Sequence, residues 1–325
     1  MQQKGKDMKL KYIGKRILIL IPTFLGVTLL AYVLSALAPG NPVSYMLGTE
    51  NVTQEDVARL TKQLGLDQPV IIQYFHWLLR LFQGNLGISY RTSEPVLNMI
   101  MSRMGPTLLI TLTSVLVSVA VAIPFGVAAA VKPYSGWDYI ASALSFVTAA
   151  SPNFFISLVL VYIFGVRLGI LPVTGMYTSA GDKNFPDLLR HMILPVSVLA
   201  FQQMGNLIRQ VRGSMLETLQ EDYIRTAREK GLRESRIIIR HALRNAAIPI
   251  VTVIGMNLPF VVGGAVVTEQ IFAWPGIGTL MIQSINARDY PCIMGVTVFI
   301  SIVVLIGNLI TDLIYGLLDP RISYK

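Results

Sequence analysis

The sequence has little charge, one cysteine and three histidines, and each scarcity removes a class of protein. Charged residues make up 14% of the 325 residues and hydrophobic residues 53%. The mean hydropathy of +0.58 lies outside the range of soluble globular chains. The lone Cys292 excludes an internal disulfide and a cysteine-rich metal site. His76, His191 and His241 are scattered, with no His-Glu-x-x-His pair to hold a metal. There is no Gly-x-Ser-x-Gly elbow for a hydrolase and no Gly-x-x-x-x-Gly-Lys-[Ser/Thr] loop for nucleotide phosphates. No catalytic site, metal site or cofactor is therefore expected in this chain. The net charge of +9 comes without an aromatic-interleaved basic module, which argues against nucleic acid as a partner.

Long apolar runs are present instead. Six of them, about Ile17–Ala38, Thr107–Val131, Ile140–Val166, Met192–Val211, Ala246–Thr268 and Ile293–Leu318, are each long enough to cross a hydrocarbon core of roughly 30 Å. The chain reads as an all-α integral membrane protein with six transmembrane helices. The first run is too long for a signal peptide and no small-residue cleavage site follows it, so an uncleaved span is expected. Six Lys and Arg residues lie in the first 16 positions and eight between Arg212 and Arg244, which places both termini and the 212–245 loop on the cytoplasmic side. The organisation that follows is a cytoplasmic N-terminus 1–16, a first transmembrane helix 17–38, an extracytoplasmic segment 39–106 with short helices, a five-helix core 107–318, and a cytoplasmic tail 319–325. Within the outer segment, Thr53-x-Glu55-Asp56 starts a helix that Gly65 stops. A second run, Ile71–Phe82, places Tyr74, Trp77, Leu78 and Leu81 on one face suited to a membrane interface, with Trp77 as its anchor.

The one strongly charged segment between apolar spans is Glu217–Pro249. As a helix it lines up Leu216, Leu219, Tyr223 and Ala227 on one stripe, with Glu221, Arg225, Arg228 and Glu229 largely elsewhere. Glu221 and Asp222 precede Arg225 by four and three residues, a spacing that supports same-face ion pairs. Gly231 ends the helix through positive φ, and Arg236, Arg240 and Arg244 step along a second helix. Two readings are open at this stage: a basic loop held by lipid phosphates, or a docking element.

The same residues resemble the permease subunits of ATP-binding-cassette importers, in their peptide and nickel branch. Of the family's Glu-Ala-Ala-x3-Gly-x9-Ile-x-Leu-Pro signature the chain keeps Ala227, Gly231 and Leu243, with Arg225, Thr226, His241 and Arg244 replacing Glu, Ala, Ile and Pro. The longer string from Arg225-Thr226-Ala227 through Lys230-Gly231-Leu232 to Arg240-His241-Ala242-Leu243-Arg244-Asn245 is similar to the peptide-permease loop. Further matches are Pro39-Gly40-Asn41-Pro42, Leu64-Gly65-Leu66-Asp67, Gly84-Asn85-Leu86-Gly87-x-Ser89 and Trp274-Pro275-Gly276-x-Gly278. The resemblance implies a type I ABC importer permease architecture in a bacterial-type cytoplasmic membrane, moving oligopeptides or dipeptides. It implies a second homologous permease, two ATPase subunits carrying ATP and Mg, an extracytoplasmic binding protein and membrane lipid as partners. The coupling residues it implies are Glu217, Glu221, Asp222, Tyr223, Arg225, Thr226, Ala227, Arg228, Lys230, Gly231 and Leu232. Nickel or another small solute is the alternative cargo, and an ion-coupled secondary transporter is a more remote alternative; the absence of an inverted repeat speaks against the latter.

Polar residues inside apolar spans are candidates for a translocation pathway or for interhelical hydrogen bonds. Gln202, Gln203, Asn206, Arg209 and Asn257 form this set. Glu269, Trp274, Pro275, Gly276 and Gly278 read as an outer hairpin: Pro275 fixes φ, the glycines permit close approach, and Trp274 supplies an amphipathic body at an interface. Its residues either pack or reach the pathway.

Overall fold

The computed structural model describes residues 2–37, 42–47, 53–178 and 184–318, and among them every regular element is helical. In chain order these are α1 (Gln2–Leu37), α2 (Pro42–Leu47), α3 (Gln54–Gln63), α4 (Val70–Phe82), α5 (Val96–Val131), α6 (Gly136–Ala150) and α7 (Asn153–Leu160). They continue as α8 (Phe185–Leu219), α9 (Asp222–Glu229), α10 (Glu234–Arg236), α11 (Leu243–Ile271), α12 (Ile277–Asn286) and α13 (Tyr290–Leu318). A π-helical stretch, Val161–Arg167, extends α7, and another, Ile237–Ala242, joins α10 to α11. The 319–325 tail and Pro39-Gly40-Asn41 lie outside the described residues.

The chain divides into two compact units. One takes residues up to Pro106 together with Pro275–Leu305, the other takes Thr107–Trp274 and resumes at Ile306. In the first unit the expected start of α3 is a reciprocal capping box. The Asp56 backbone N–H donates to the Thr53 hydroxyl, and the Asp56 carboxylate accepts from the Thr53 backbone. Gly65 stops the helix at φ 69°. The face of α4 that was expected at a membrane interface is instead internal: Tyr74 and Trp77 are buried with Phe24, Tyr32, Met294 and Val298. Trp77 is therefore a packing residue rather than an exposed anchor, because α1 offers its rings a protein surface to bury against.

Among the described residues, three helical stretches, Leu18–Leu37, Val96–Val131 and Tyr290–Thr311, are long and apolar enough to cross a membrane, and two bent helix pairs raise the number to five if each pair is one span. The expected third span is one such pair, α6 and α7 with its π extension, bent by 105°. Pro152 explains the break. It has no N–H to continue the ladder and pushes Ser151 out of the helical region, to φ −94° and ψ 119°. The expected fourth span lies inside α8, whose 35 residues reach about 52 Å but carry Gln202, Gln203, Asn206, Arg209 and Gln210. In the second unit α8 packs on α6 and on α11. Gly205 makes the first of these contacts possible, since a Cβ there would overlap the Thr148 hydroxyl.

Candidate functional site

The charged segment does not form one continuous stripe. The backbone leaves the helix at Glu221, which is extended (φ −70°, ψ 145°), and α9 starts afresh at Asp222. This restart rotates the register, so Ile224 rather than Tyr223 joins Ala227 on the buried side. Ile224 is fully buried among Met215, Ile237, Ala242 and Val211, while Tyr223 is 42% exposed. Burying a side chain of that size contributes about 1.5–3 kcal/mol, enough to seat an eight-residue helix that would not form alone. What α9 presents outward is Glu221, Asp222, Tyr223, Arg225, Thr226, Arg228, Glu229 and Lys230, all exposed, with Glu217 exposed on the preceding turn.

The end of α9 is fixed by its backbone. Gly231 takes φ 71°, its N–H donates to the Arg228 carbonyl (2.9 Å), and the Leu232 N–H donates back to the Ala227 carbonyl (3.4 Å). These are the two bonds of a Schellman end, and the accompanying contact is made by Leu232 and Ala227 against the same apolar cluster. Arg228 closes the turn by donating to Glu234 at 2.7 Å, which holds the Glu234 carboxyl below its usual range. The expected pairing of Arg225 with Glu221 or Asp222 is replaced by one with Glu229 at 3.3 Å. Exposed pairs of this kind contribute at most about 1 kcal/mol, so the shape of the knob rests on Ile224, Ala227 and Gly231.

A tether that the sequence reading missed lies at the base of this segment. Asp138, only 5% exposed, accepts two hydrogen bonds from the Arg212 guanidinium, Nε at 2.6 Å and Nη2 at 3.0 Å. It accepts a third from the Tyr134 backbone N–H at 2.9 Å. The guanidinium first and the Tyr134 N–H second hold the Asp138 carboxyl below its ordinary value. The 132–138 loop is thereby clamped to the end of α8 that leads into α9. The signal was present: Asp138 is the only carboxylate between Glu94 and Asp182.

The polar set splits. Gln202, Asn206 and Arg209 share an exposed face of α8, whereas Gln203 turns inward and donates to the Ser114 hydroxyl (3.2 Å) and the Leu199 carbonyl (3.1 Å). Arg209 donates to the Ser145 carbonyl at 3.3 Å. Asn153, the first residue after the break between α6 and α7, donates to Gln202 Oε1 at 2.5 Å. The broken helix thus adds a fourth polar group to the exposed face, one the reading did not name. Pro152 within an apolar run was its only mark in the sequence. The side chain of Asn257 lies outside the described residues.

The expected outer hairpin is a helix end followed by a helix start. Strain sits at Ala273, with φ 46°, not at the glycines: Gly276 is extended (φ −104°, ψ −175°) as the residue preceding α12. Trp274 is fully buried beside Ile110, Met192, Val196, Leu199 and Ala265, so its expected place at an interface is replaced by a place in the core. Glu269 is also fully buried and accepts from the Thr107 hydroxyl at 2.6 Å, while its carbonyl accepts the Trp274 N–H at 2.8 Å. Gly278 is buried, and Pro275 is partly exposed.

Residues 122–324 match the family described as the binding-protein-dependent transport system inner membrane component, and residues 9–111 match the N-terminal membrane component of such systems. The chain belongs to this family. Within it, the chain is 43% identical over 314 residues to the oligopeptide transport system permease protein AppB of Bacillus subtilis, covering 96% of this chain and 99% of that one. It is 38% identical over 337 residues to the dipeptide transport system permease protein DppB of Escherichia coli, covering 97% and 99%. The fold is shared with the solved inward-facing methionine ABC transporter, at TM-score 0.54 and 18% identity, over 70% of this chain and all of that one. The charged knob, the Asp138–Arg212 tether and the polar face all fall in the main region of the family match.

Proposed function

We propose that this permease is the translocating subunit of an ATP-driven importer of peptides, working with separate ATPase subunits that dock on α9. The observation that carries the docking reading is the exposed knob itself. Eight exposed residues between Glu221 and Lys230 are held on the two buried ones among them, Ile224 and Ala227, and the turn behind them is closed by Gly231. A lipid-held loop would need only positive charge. This knob instead carries both signs, with Glu221, Asp222 and Glu229 against Arg225, Arg228 and Lys230, which suits a protein groove.

In the cycle proposed, ATP binding closes the two ATPases and displaces α9. Because α9 is linked to α8 through the short break at Glu221 and to α11 through the Gly231 turn, α10 and the π-helical stretch, its displacement is passed to the helices bearing the polar face. Nucleotide thereby shifts a population between inward-open and outward-open states. Gln202, Asn206, Arg209 and Asn153 would then line the path. Amide groups can hydrogen-bond a peptide backbone without selecting among side chains, leaving selection to an extracytoplasmic binding protein. The full-length likeness to permeases named for oligopeptides and dipeptides supports peptides over nickel as cargo. Non-helical backbone at the Ser151–Pro152 break is tolerated at membrane depth where it lines a polar cavity, which supports placing Asn153 on the path.

The test is purification of the chain from its native membrane in mild detergent, followed by reconstitution and measurement of labelled dipeptide and oligopeptide uptake with and without ATP. ATP-dependent peptide uptake, with two ATPases and a second permease recovered and both lost on deleting 217–233, is the expected result. Recovery of the chain alone, with uptake driven by an ion gradient, would overturn the proposal.

A further inference from the structure

Helix α4 has three flanks rather than two. At about 100° per residue, Tyr74, Trp77, Leu78 and Leu81 form the flank that packs on α1 and the start of α13. Ile71, Ile72, Phe75, Leu79 and Phe82 fall in a neighbouring arc of about 100° and are bare, with Phe75 56%, Leu79 60% and Phe82 76% exposed. Gln73, His76, Arg80 and Gln83 occupy the remaining arc, and all but Gln73 are exposed.

The contacts with α1 locate these flanks. The Tyr74 hydroxyl lies 3.0 Å from the Thr28 hydroxyl and 3.3 Å from the Leu25 carbonyl, while the Tyr32 hydroxyl donates to Gln73 Oε1 at 3.3 Å. Thr28 and Tyr32 lie inside the apolar Leu18–Leu37 stretch that is able to cross a membrane. Along the helix axis they are about 14 Å and about 8 Å from its Leu37 end. The polar edge of α4 therefore pairs with the shallower residue, and the next residue reaches a turn deeper. Around the same stretch, α1 exposes Leu18, Ile21, Leu30 and Leu34, a surface suited to acyl chains on a spanning helix.

We infer that α4 is an in-plane membrane helix, with its Ile71–Phe75–Leu79–Phe82 flank seated in acyl chains continuous with those around α1 and its His76–Arg80–Gln83 flank at the water boundary. A helix running along α1 across the membrane would bury the whole polar flank; one lying clear in water would leave five large apolar side chains bare in a row. The proposal does not depend on cargo or on ATPase docking.

Single nitroxide labels test it. Phe75→Cys, Leu79→Cys, His76→Cys and Arg80→Cys are introduced in the full-length chain, assembled in its transporter and reconstituted into phosphatidylcholine and phosphatidylglycerol vesicles. Buried Cys292 is replaced by Ser if it labels. Relaxation by oxygen, which partitions into acyl chains, is compared with relaxation by chromium oxalate, which stays in water. The expected result is a high oxygen-to-chromium ratio at 75 and 79, reversed at 76 and 80. Equal access of chromium oxalate to all four positions overturns the proposal in favour of a water-exposed helix. Protection of 75 and 79 from both agents overturns it in favour of a protein occupant.

Discussion

Replacement of Gly231 separates backbone strain from docking. An ideal Cβ at this position meets nothing within 4 Å, so no side chain there collides with the chain itself. The cost inside the chain is confined to φ 71°, a region that disfavours a residue with Cβ by about 1–2 kcal/mol. That amounts to a factor of roughly 5–30 in the local equilibrium that closes the end of α9. Ala and Trp carry the same backbone penalty, whereas Asn tolerates positive φ. If α9 sits in an ATPase groove, Gly231→Trp abolishes ATP-driven uptake through its bulk, Gly231→Ala lowers it by no more than the strain, and Gly231→Asn stays near the parent. The assay is initial peptide uptake into proteoliposomes at matched transporter density, with ATPase recovery measured on the same preparations. Equal loss in Ala and Trp would assign the effect to strain and refute docking at this turn. Full activity in Trp would remove the turn from the interface altogether.

Three further substitutions follow from the packing. Asp138→Asn removes the charge that Arg212 and the Tyr134 N–H hold; about 1.5–3 kcal/mol of stability should be lost at neutral pH, read as a lowered unfolding temperature in detergent. Because the Asp138 carboxyl is depressed, its stabilisation is full above the ordinary carboxylate range and falls as pH drops through the folded value. The parent should thus lose stability on acidification by more than Asp138→Asn does, and parallel pH profiles would contradict the tether. Gly205→Ala should overpack the α6–α8 contact by about 1–3 kcal/mol, lowering the yield of monodisperse protein; an unchanged yield and unfolding temperature would refute the close approach. Glu269→Ala leaves the buried Thr107 hydroxyl without its 2.6 Å acceptor and should cost about 1–3 kcal/mol, while Glu269→Gln, which keeps a carbonyl oxygen, should cost less; a reversed order would place the importance of Glu269 in its charge.

What the sequence made legible was local chemistry, and what it hid was contact between distant segments. The Thr53–Asp56 cap, the stop at Gly65 and the left-handed turn at Gly231 all depend on residues within a few positions of one another, and each is found where expected. The stripe through Tyr223 failed because periodicity assumes an unbroken helix, whereas the chain restarts at Asp222 and Ile224 takes the buried place. Trp77 and Trp274 were read as interfacial because an amphipathic ring in an outer segment has two equally good homes, water's edge or a protein core; α1 and the Ile110–Met192 cluster settle the choice. The polar face on α8 was legible as Gln202, Asn206 and Arg209 because they share a helical spacing. Asn153 and Asp138 were not, since each acquires meaning only from a partner 49 or 74 residues away. Both hidden residues stand beside a backbone interruption, Asn153 after Pro152 and Asp138 after Tyr134 at φ 61°. Interruptions are where a helical membrane chain must find hydrogen bonds outside its own ladder. In this permease, a break in an apolar run is accordingly a second guide to long-range polar contacts, beside the polar residues within the runs that make the Gln203–Ser114 and Glu269–Thr107 bonds.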